Sequence, residues 1–302
     1  MGIRHSLKPG TRNSQPGTQK ASDFSPDSFY NKGLMKKTSI IYFSRSSRPR
    51  PFLEKVLDIF GDKIRGKILL KPNLVSGEPY PTTTDPELFQ ELIRLIKSNR
   101  EISAGDAPAA DLLRPGPALK NHPLTKVASE QGIKFYDFYQ EEMISKTTPL
   151  GDRLKFSALP QKFDLIISLP VLKSHLNVQF TGALKNQFGF LDRKERFRVH
   201  FQNPGLLDRA IVGINQLAPA HLFIVDFRET LLKSNEVRHG GTPAKGGWIF
   251  AGEDAVALDY FGFSLLQEIE PKLFGKKPEE IKYLRLAEKA GLGKDKFELM
   301  EI

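Results

Sequence analysis

The densest set of residues that could do chemistry lies in one run, LPVLKSHLNVQFTGALKNQFGF, at residues 169–190. An apolar strand leads into a lysine and a histidine, and a predicted helix near residues 182–190 carries a second lysine and an asparagine. Lysine ammonium groups and helix N-termini attract anions, and a histidine can give or take a proton near neutral pH. Alternatively, the helix is simply capped and its lysine reaches solvent, while the histidine is satisfied in the core. The candidates are Lys173 and His175 as catalytic residues, Thr181 as ligand-binding residue and N-cap, and Lys185 and Asn186 as ligand-binding residues.

Polar residues also follow three other predicted strands. Lys71 and Asn73 flank Pro72 after KILLK, Asp106 ends EISAGD, and Asp226 lies in HLFIVDF. Pro72 biases the preceding lysine toward extended backbone, which would hold its ammonium group in place. Because ligands of open parallel sheets bind beyond the carboxyl ends of the strands, all four side chains are candidate ligand-binding residues. The structural alternatives are a salt bridge for the lysine, an Asx turn for the asparagine, and strand ends that are polar because they reach water.

A metal site has weaker support. His200 follows a charged, aperiodic stretch at residues 192–202, which we predict to be an exposed loop or lid. His175 and His200 could supply half of a metal site, but no carboxylate or third histidine lies at ligand spacing. We therefore predict no metal and treat His200 as a ligand-binding residue. The segment HGGTPAKGG at residues 239–247 is either a ligand-wrapping loop or a flexible hairpin.

One carboxylate lies in an apolar helix. Asp254 fits the N-cap of the segment AGEDAVALDYFGFSLL, and Asp259 follows five residues later among apolar side chains. A buried carboxylate needs a partner, and we expect a lysine from the strand ends to supply it.

Short apolar strands alternate with helical segments over most of the chain. This alternation predicts an α/β fold with a mainly parallel sheet and helices on both faces. We predict a single domain over residues 37–302. The predicted strands are residues 38–44, 67–71, 101–106, 134–138, 164–172, 221–227 and 247–252, and the predicted helices lie near residues 51–60, 85–97, 123–131, 182–190, 206–217, 254–269 and 279–290.

Charge is concentrated at one end of the chain. The net charge is +10, and the first 50 residues hold ten lysines and arginines against two aspartates, so the remainder is nearly neutral. We interpret residues 1–36, rich in serine, proline and glycine, as a disordered basic tail. A nearly neutral body argues against a nucleic-acid binder, which needs clustered cations. The 302 residues contain no cysteine, which excludes disulfides and iron–sulfur clusters on the chain's own thiolates.

The familiar motifs are missing from the sequence. It contains no phosphate-binding loop of the GxxxxGK[ST] type, no complete GxGxxG, no GxSxG elbow and no HExxH pair. No apolar run is long enough for a transmembrane helix, and the N-terminus lacks the apolar stretch of a secretory signal. We expect a cytoplasmic protein.

Several segments resemble the prokaryotic family called domain of unknown function 362. The matching pieces are ILLKPNLV, TTTDPELFQELI, GDAP, DLIISLPVLKSH, FTGALKNQFGF with the later RVH, IVDF and AGEDAVALD, in the family's order over roughly residues 65–295. Ser174 stands where the family often has threonine. The resemblance implies an α/β fold but little settled chemistry. The family is also loosely similar to nickel-dependent lactate racemase, an analogy at the level of fold.

Many relatives carry ferredoxin-type modules, which implies redox or anaerobic metabolism. Since this chain has no cysteine, a redox role would require a partner protein. The sequence thus favours a protein that binds a small carboxylate- or phosphate-bearing metabolite. In one form of this hypothesis the protein also transforms the metabolite. Lys71, Lys173 and Lys185 would hold the anion while His175 moves a proton, and Asp106 and Asp226 would orient the cations or bind a hydroxyl. The rivals are a non-catalytic accessory protein of a redox or cofactor-assembly system and, more weakly, a nucleic-acid binder. No cofactor is indicated.

Overall fold

An eight-stranded sheet is the centre of the protein, which is described by a computed structural model over residues 38–98 and 100–302. The predicted tail, residues 1–36, lies outside the described residues. The strand order is β12-β1-β11-β10-β7-β2-β3-β4. The sheet strands are β1 (Ser39–Ser44), β2 (Lys67–Pro72), β3 (Glu101–Asp106), β4 (Lys134–Asp137), β7 (Leu165–Leu169), β10 (Leu222–Leu232), β11 (Thr242–Gly252) and β12 (Phe297–Glu301).

Most neighbours in this sheet are parallel, as the alternation of strands and helices predicts. Strands β10, β7, β2, β3 and β4 pair in parallel, and β12 pairs in parallel with β1. The exception is β11, which runs antiparallel to both β1 and β10. Of the segment 239–247, residues 242–247 belong to β11, which pairs antiparallel with β10, so the structure agrees with the hairpin alternative for this segment.

Two apolar layers cover the two faces of the sheet. In β2, Ile68 and Leu70 enter one buried cluster and Leu69 enters the other, which is the alternation expected for a strand with helices on both sides. The α/β fold with two covered faces is therefore confirmed. The helices are α1 (Pro49–Phe60), α2 (Pro86–Ile96), α3 (Pro115–Lys120), α4 (Pro123–Glu130), α5 (Ala183–Asn186), α6 (Arg193–Phe197), α7 (Leu207–Leu217), α8 (Ala255–Gln267) and α9 (Lys282–Lys289).

Two hairpins lie outside the main sheet, and neither was predicted. They pair β5 (Met143–Thr147) with β6 (Arg153–Ser157), and β8 (Lys173–His175) with β9 (Gln179–Thr181). Three-residue strands such as β8 and β9 carry too little periodicity to be recognised in sequence.

The expected loop at residues 192–202 is instead helical. Helix α6 begins where the Asp192 carboxylate accepts hydrogen bonds from the backbone N–H groups of Lys194 and Glu195, and a π-helical turn, Arg198–Gln202, continues it. An N-cap carboxylate stabilises a short helix even without apolar periodicity. The loop prediction was wrong because it relied on periodicity.

Thr38–Ile302 forms one unit by its internal contacts. The predicted domain boundary between residues 36 and 37 stays a prediction. Every helix in the described ranges is too short or too polar to cross a lipid bilayer.

Candidate functional site

A cavity of about 240 Å³ opens at the carboxyl ends of β2 and β3, beside the β8–β9 hairpin. Strands that run in parallel end at the same edge of the sheet, which explains why residues distant in sequence meet there. Eight of the ten predicted site residues line this cavity: Asn73, Asp106, Lys173, His175, Thr181, Lys185, Asn186 and His200. The other two, Lys71 and Asp226, do not line it.

Lys71 lies behind the cavity wall. Its ammonium group donates to the Asp106 carboxylate at 2.7 Å and to the Pro72 carbonyl at 3.1 Å, and both members of the ion pair are buried. The carboxylate also accepts from the backbone N–H of Leu74 at 2.7 Å. Gly189 packs against the pair, since a Cβ at this position would lie 2.7 Å from the Lys71 ammonium nitrogen. Of the two partners, only Asp106 reaches the cavity.

Asp226 belongs to a different cluster. It forms an ion pair with Arg228 at 2.7 Å and accepts a hydrogen bond from the Tyr80 hydroxyl at 3.1 Å. Arg228 also pairs with Asp85, the N-cap of α2, at 2.6 Å. This cluster joins β10 to the loop before α2 and gives Asp226 a structural role.

Lys185 enters the cavity from α5 and is only 9% exposed. Its ammonium group lies 3.9 Å from the centre of the Phe188 ring, a cation–π contact, and no carboxylate of the described residues comes within ion-pair distance. Burial, followed by the nearby charges of Arg196, Lys173 and Lys71, holds the pKa of Lys185 well below its usual value. A cation in this position is favoured only when an anion accompanies it.

Lys173 is the first residue of β8. Its ammonium group donates to the Thr82 carbonyl. Burial lowers the pKa of Lys173 to about 7, although the carboxylates of Glu236 and Glu78 oppose this shift. Lys173 can therefore exchange a proton near neutral pH.

Two of the three histidines that line the cavity, His175 and His200, present opposite hydrogen-bonding groups. Nδ1 of His175 accepts from the backbone N–H of Asn177 at 3.1 Å, so the neutral ring carries its proton on Nε2. Nδ1 of His200 lies 2.9 Å from the Arg196 carbonyl, which can only accept, so this ring keeps Nε2 unprotonated. Their ring centres are 6.3 Å apart.

We assign the neutral form to both rings. Burial and the neighbouring Lys185 charge lower the pKa of His175 well below 6.5 and that of His200 to about 3. The pair therefore consists of one donor, His175 Nε2–H, and one acceptor, His200 Nε2.

Two asparagines add unused acceptors. The Asn186 amide donates to the Lys71 carbonyl at 3.2 Å and to the Ser168 hydroxyl at 2.9 Å, which fixes its orientation. Its Oδ1 atom is buried and has no partner among the described residues, and the same is true of Oδ1 of Asn73. Because an unsatisfied buried acceptor costs free energy, these two oxygens would gain from a ligand that donates hydrogen bonds.

The expected N-cap was wrong. Gly182, not Thr181, precedes α5, and the Asp259 carboxylate from α8 caps the helix by accepting from Ala183 N–H at 2.6 Å and Leu184 N–H at 3.1 Å. The partners of Asp259 are therefore backbone N–H groups, and the expectation of a lysine partner was wrong. Burial raises the pKa of Asp259 to about 7, although the two hydrogen bonds oppose the shift. The protein's own carboxylate therefore takes the anion position at this helix end.

Sequence analysis missed the far wall of the cavity. Arg196, on α6, donates to the carbonyls of Ala107 and Pro108 at 3.1 and 2.8 Å and faces the cavity. The signal that could have located Arg196 was its spacing of four residues from His200, which places both on one helical face.

A second missed group lies at the cavity mouth. Asp111, Glu236 and His239 place one potential metal-ligating atom each within 4.8 Å of one another. Arg238 already binds both carboxylates, Asp111 at 2.9 Å and Glu236 at 2.6 Å. A guanidinium group thus supplies the positive charge that a metal ion would bring, and the group fits an internal salt-bridge network better than a metal site.

The chain is similar to a curated protein and to several solved structures, two of which are described below. The chain is 25% identical to the thylakoid-associated protein sll1697 of Synechocystis over 206 residues, or 67% of this chain and 63% of that protein. The lactate racemase apoprotein of Thermoanaerobacterium thermosaccharolyticum superposes with a TM-score of 0.50 at 15% identity, covering 76% of this chain and 57% of the racemase. A structural-genomics protein of Thermotoga maritima follows with a TM-score of 0.46 at 12% identity, covering 80% of this chain and 60% of the other.

The racemase likeness is one of fold. The chain spans less than two thirds of the length of each of these proteins. The model of the family described as domain of unknown function (DUF362) matches residues 68–264, which include β3, the β8–β9 hairpin, all of β2 except its first residue, and the three histidines that line the cavity. The chain belongs to this DUF362 family.

Proposed function

We propose that the cavity binds a small molecule bearing a carboxylate or phosphate group, with Lys185 and Lys173 holding the anion. The observation that carries this proposal is the Lys185 ammonium group, buried in the cavity wall without a carboxylate partner among the described residues. Lys71, which is fully buried, has such a partner in Asp106. A bound anion would give Lys185 what Asp106 gives Lys71.

Proton transfer is the chemistry that this arrangement supports. In the neutral forms assigned above, His175 offers a proton from Nε2 and His200 offers a lone pair on Nε2. A molecule held between the rings could accept a hydrogen bond from one and donate a hydrogen bond to the other. Lys173, with its pKa near 7, is the cavity group that could transfer a proton to or from that molecule near neutral pH. The acceptors of Asn73 and Asn186 suit a hydroxyl group on the same molecule.

The racemase of similar fold is named for lactate, a small carboxylate with a hydroxyl group, and its likeness to this chain is one of fold. The Synechocystis relative is named for an association with thylakoids and for no substrate. We propose a cytoplasmic location for this chain, and cell fractionation would test it.

Calorimetric titration with inorganic phosphate, acetate and lactate tests the anion site. We expect binding by at least one of these anions to the wild-type protein, with uptake of protons as Lys173, whose pKa is about 7, becomes fully charged. Proton uptake appears as a binding enthalpy that changes with the ionisation enthalpy of the buffer.

A matched pair of variants locates the site. Lys185→Met should weaken anion binding at least tenfold and reduce proton uptake, whereas Lys162→Met, at an exposed lysine outside the cavity, should bind as wild type does. Equal binding by Lys185→Met and wild type would refute the assignment of the site. If no anion binds the wild-type protein, the proposal fails and the accessory-protein hypothesis gains.

A further inference from the structure

The mouth of the cavity carries exposed apolar side chains. Leu176 and Phe201 both line the cavity, yet 56% and 57% of their surfaces are exposed. Each directly follows one of the two histidines in sequence. Phe197 extends this patch, because its ring centre lies 4.9 Å from that of Phe201. We call Leu176, Phe197 and Phe201 the apolar rim.

Exposed apolar residues concentrate near this opening. Ten large apolar side chains are exposed among the described residues, and five of them are rim residues or lie within two positions of a cavity-lining residue. Besides the rim, these are Leu113 and Val237, in the segments of Asp111 and Glu236. Single exposed apolar residues are ordinary, but a group around one opening is typical of a binding surface.

The cavity interior is polar and the rim is apolar, and this combination fits one type of ligand. The interior offers lysines, histidines and amide oxygens, whereas the rim offers two phenyl rings and a leucine. The rings of His200 and Phe201 are 5.9 Å apart, so the polar and apolar parts are continuous. A molecule with an anionic end in the cavity would place the rest of its length directly on the rim.

We propose that the ligand is an amphipathic anion, a carboxylate or phosphate joined to an acyl, alkyl or aromatic group, whose apolar part lies on Leu176, Phe197 and Phe201. This inference rests on the proposed anion site and specifies the class of molecule that the site selects. The small cavity, about 240 Å³, holds the anionic end, and burial of the apolar part against the rim adds affinity.

Homologous series of probes test the inference. Inorganic, methyl, butyl and hexyl phosphate, and acetate, butanoate and hexanoate, are titrated into the full-length protein below their micelle-forming concentrations. We expect affinity to rise roughly two- to fourfold for each added methylene that the rim covers, since each buried methylene contributes a constant increment.

Matched variants assign that increment to the rim. Phe201→Ser and Leu176→Ser should flatten the dependence on chain length and leave the affinity for inorganic phosphate or acetate unchanged. Phe274→Ser is the control, because Phe274 is 59% exposed, close to the exposure of Phe201, and does not line the cavity. Thermal unfolding shows which of the three variants fold. If the Phe201 variant does not fold, the Leu176 variant still tests the rim.

The outcomes separate this inference from the proposed function. If short anions bind the wild-type protein but affinity does not rise with chain length, the amphipathic ligand is refuted while the anion site stands. The exposed rim would then be explained as a contact surface for a macromolecular partner. If affinity rises equally in wild type and both rim variants, the apolar part lies elsewhere and the assignment is wrong. If no anion of any length binds, the proposed function itself fails.

Discussion

Two buried lysines at the same end of the sheet have opposite surroundings. Lys71, from β2, is held by the Asp106 carboxylate at 2.7 Å and is sealed from the cavity by Gly189. Lys185, from α5, faces the cavity over a phenyl ring and has no carboxylate partner among the residues described. Burial lowers the pKa of both lysines, but at Lys71 Asp106 opposes this effect strongly, whereas at Lys185 nearby cations add to it.

The difference separates structure from function within one residue type. A buried ion pair that is complete contributes to the fold only as long as both partners remain. A buried cation without a partner destabilises the empty protein, and such a cost is expected where a ligand later supplies the missing charge. We therefore propose that Lys71 belongs to the scaffold and that Lys185 belongs to the binding site.

The largest expected effect follows from breaking the complete pair. Lys71→Met leaves the Asp106 carboxylate buried without its cation, and we expect the free energy of unfolding to fall by about 3–5 kcal/mol. Urea denaturation of the variant and of wild type measures this loss. The double variant Lys71→Met, Asp106→Asn removes both charges, keeps an acceptor for the backbone N–H of Leu74, and should recover much of this loss. A single variant as stable as wild type would contradict the scaffold role.

A smaller loss is expected from disturbing the wall between the two lysines. In Gly189→Ala, the new Cβ would lie 2.7 Å from the Lys71 ammonium nitrogen and nearer still to the Asp106 carboxylate, so the pair must shift. We expect about 1–3 kcal/mol of destabilisation in urea denaturation, typical of overpacking. Gly116→Ala is the control, because no atom lies near its added Cβ. Equal stability of the two variants would show that Gly189 is not needed for packing.

Much of this organisation could be predicted from sequence. The alternation of apolar strands and helical segments predicted the parallel sheet. Polar residues after strands, together with those of the predicted helix near residues 182–190 and His200, predicted eight of the residues that line the cavity. What could not be predicted is which charges meet. Lys71 and Asp106 are 35 positions apart, and their pairing depends on the register of β2 against β3.

The same limit applies to the cap of α5. Asp259 is 76 positions from the N–H of Ala183 that it binds, so local sequence pointed to Thr181 instead. Thr181 belongs to a hairpin strand whose three residues carry no detectable pattern. Whether a charged group at the site has a partner therefore depends on the fold and cannot be read from the local sequence.

A third prediction uses pH to compare binding with stability. With a pKa near 7 in the folded protein and near 10.5 in the unfolded chain, Lys173 binds more protons unfolded than folded between these values. Its contribution to the free energy of unfolding therefore rises with pH from about 7. Acetate or lactate, whose charge is constant in this range, should instead bind more weakly, by up to about tenfold per pH unit above 7, because the cation is lost.

Titration calorimetry and urea denaturation at pH 6, 7, 8 and 9 measure the two trends. Lys173→Met should reduce both slopes, while the exposed-lysine variant Lys162→Met should keep them. Binding that is independent of pH in the wild-type protein would mean that Lys173 does not carry the charge that holds the anion.

The smallest expected effect completes the comparison of the two lysines. Lys185→Met replaces a buried cation that lacks a carboxylate partner with an apolar side chain of similar length, so no opposite charge is left uncompensated. The free energy of unfolding should stay within about 1 kcal/mol of the wild-type value or increase, in contrast to Lys71→Met. Urea denaturation without added anion measures this difference. Saturating phosphate or acetate should then stabilise the wild-type protein and not the Lys185 variant, because only the wild type gains binding free energy. If Lys185→Met destabilised the anion-free protein as much as Lys71→Met, Lys185 would also belong to the scaffold.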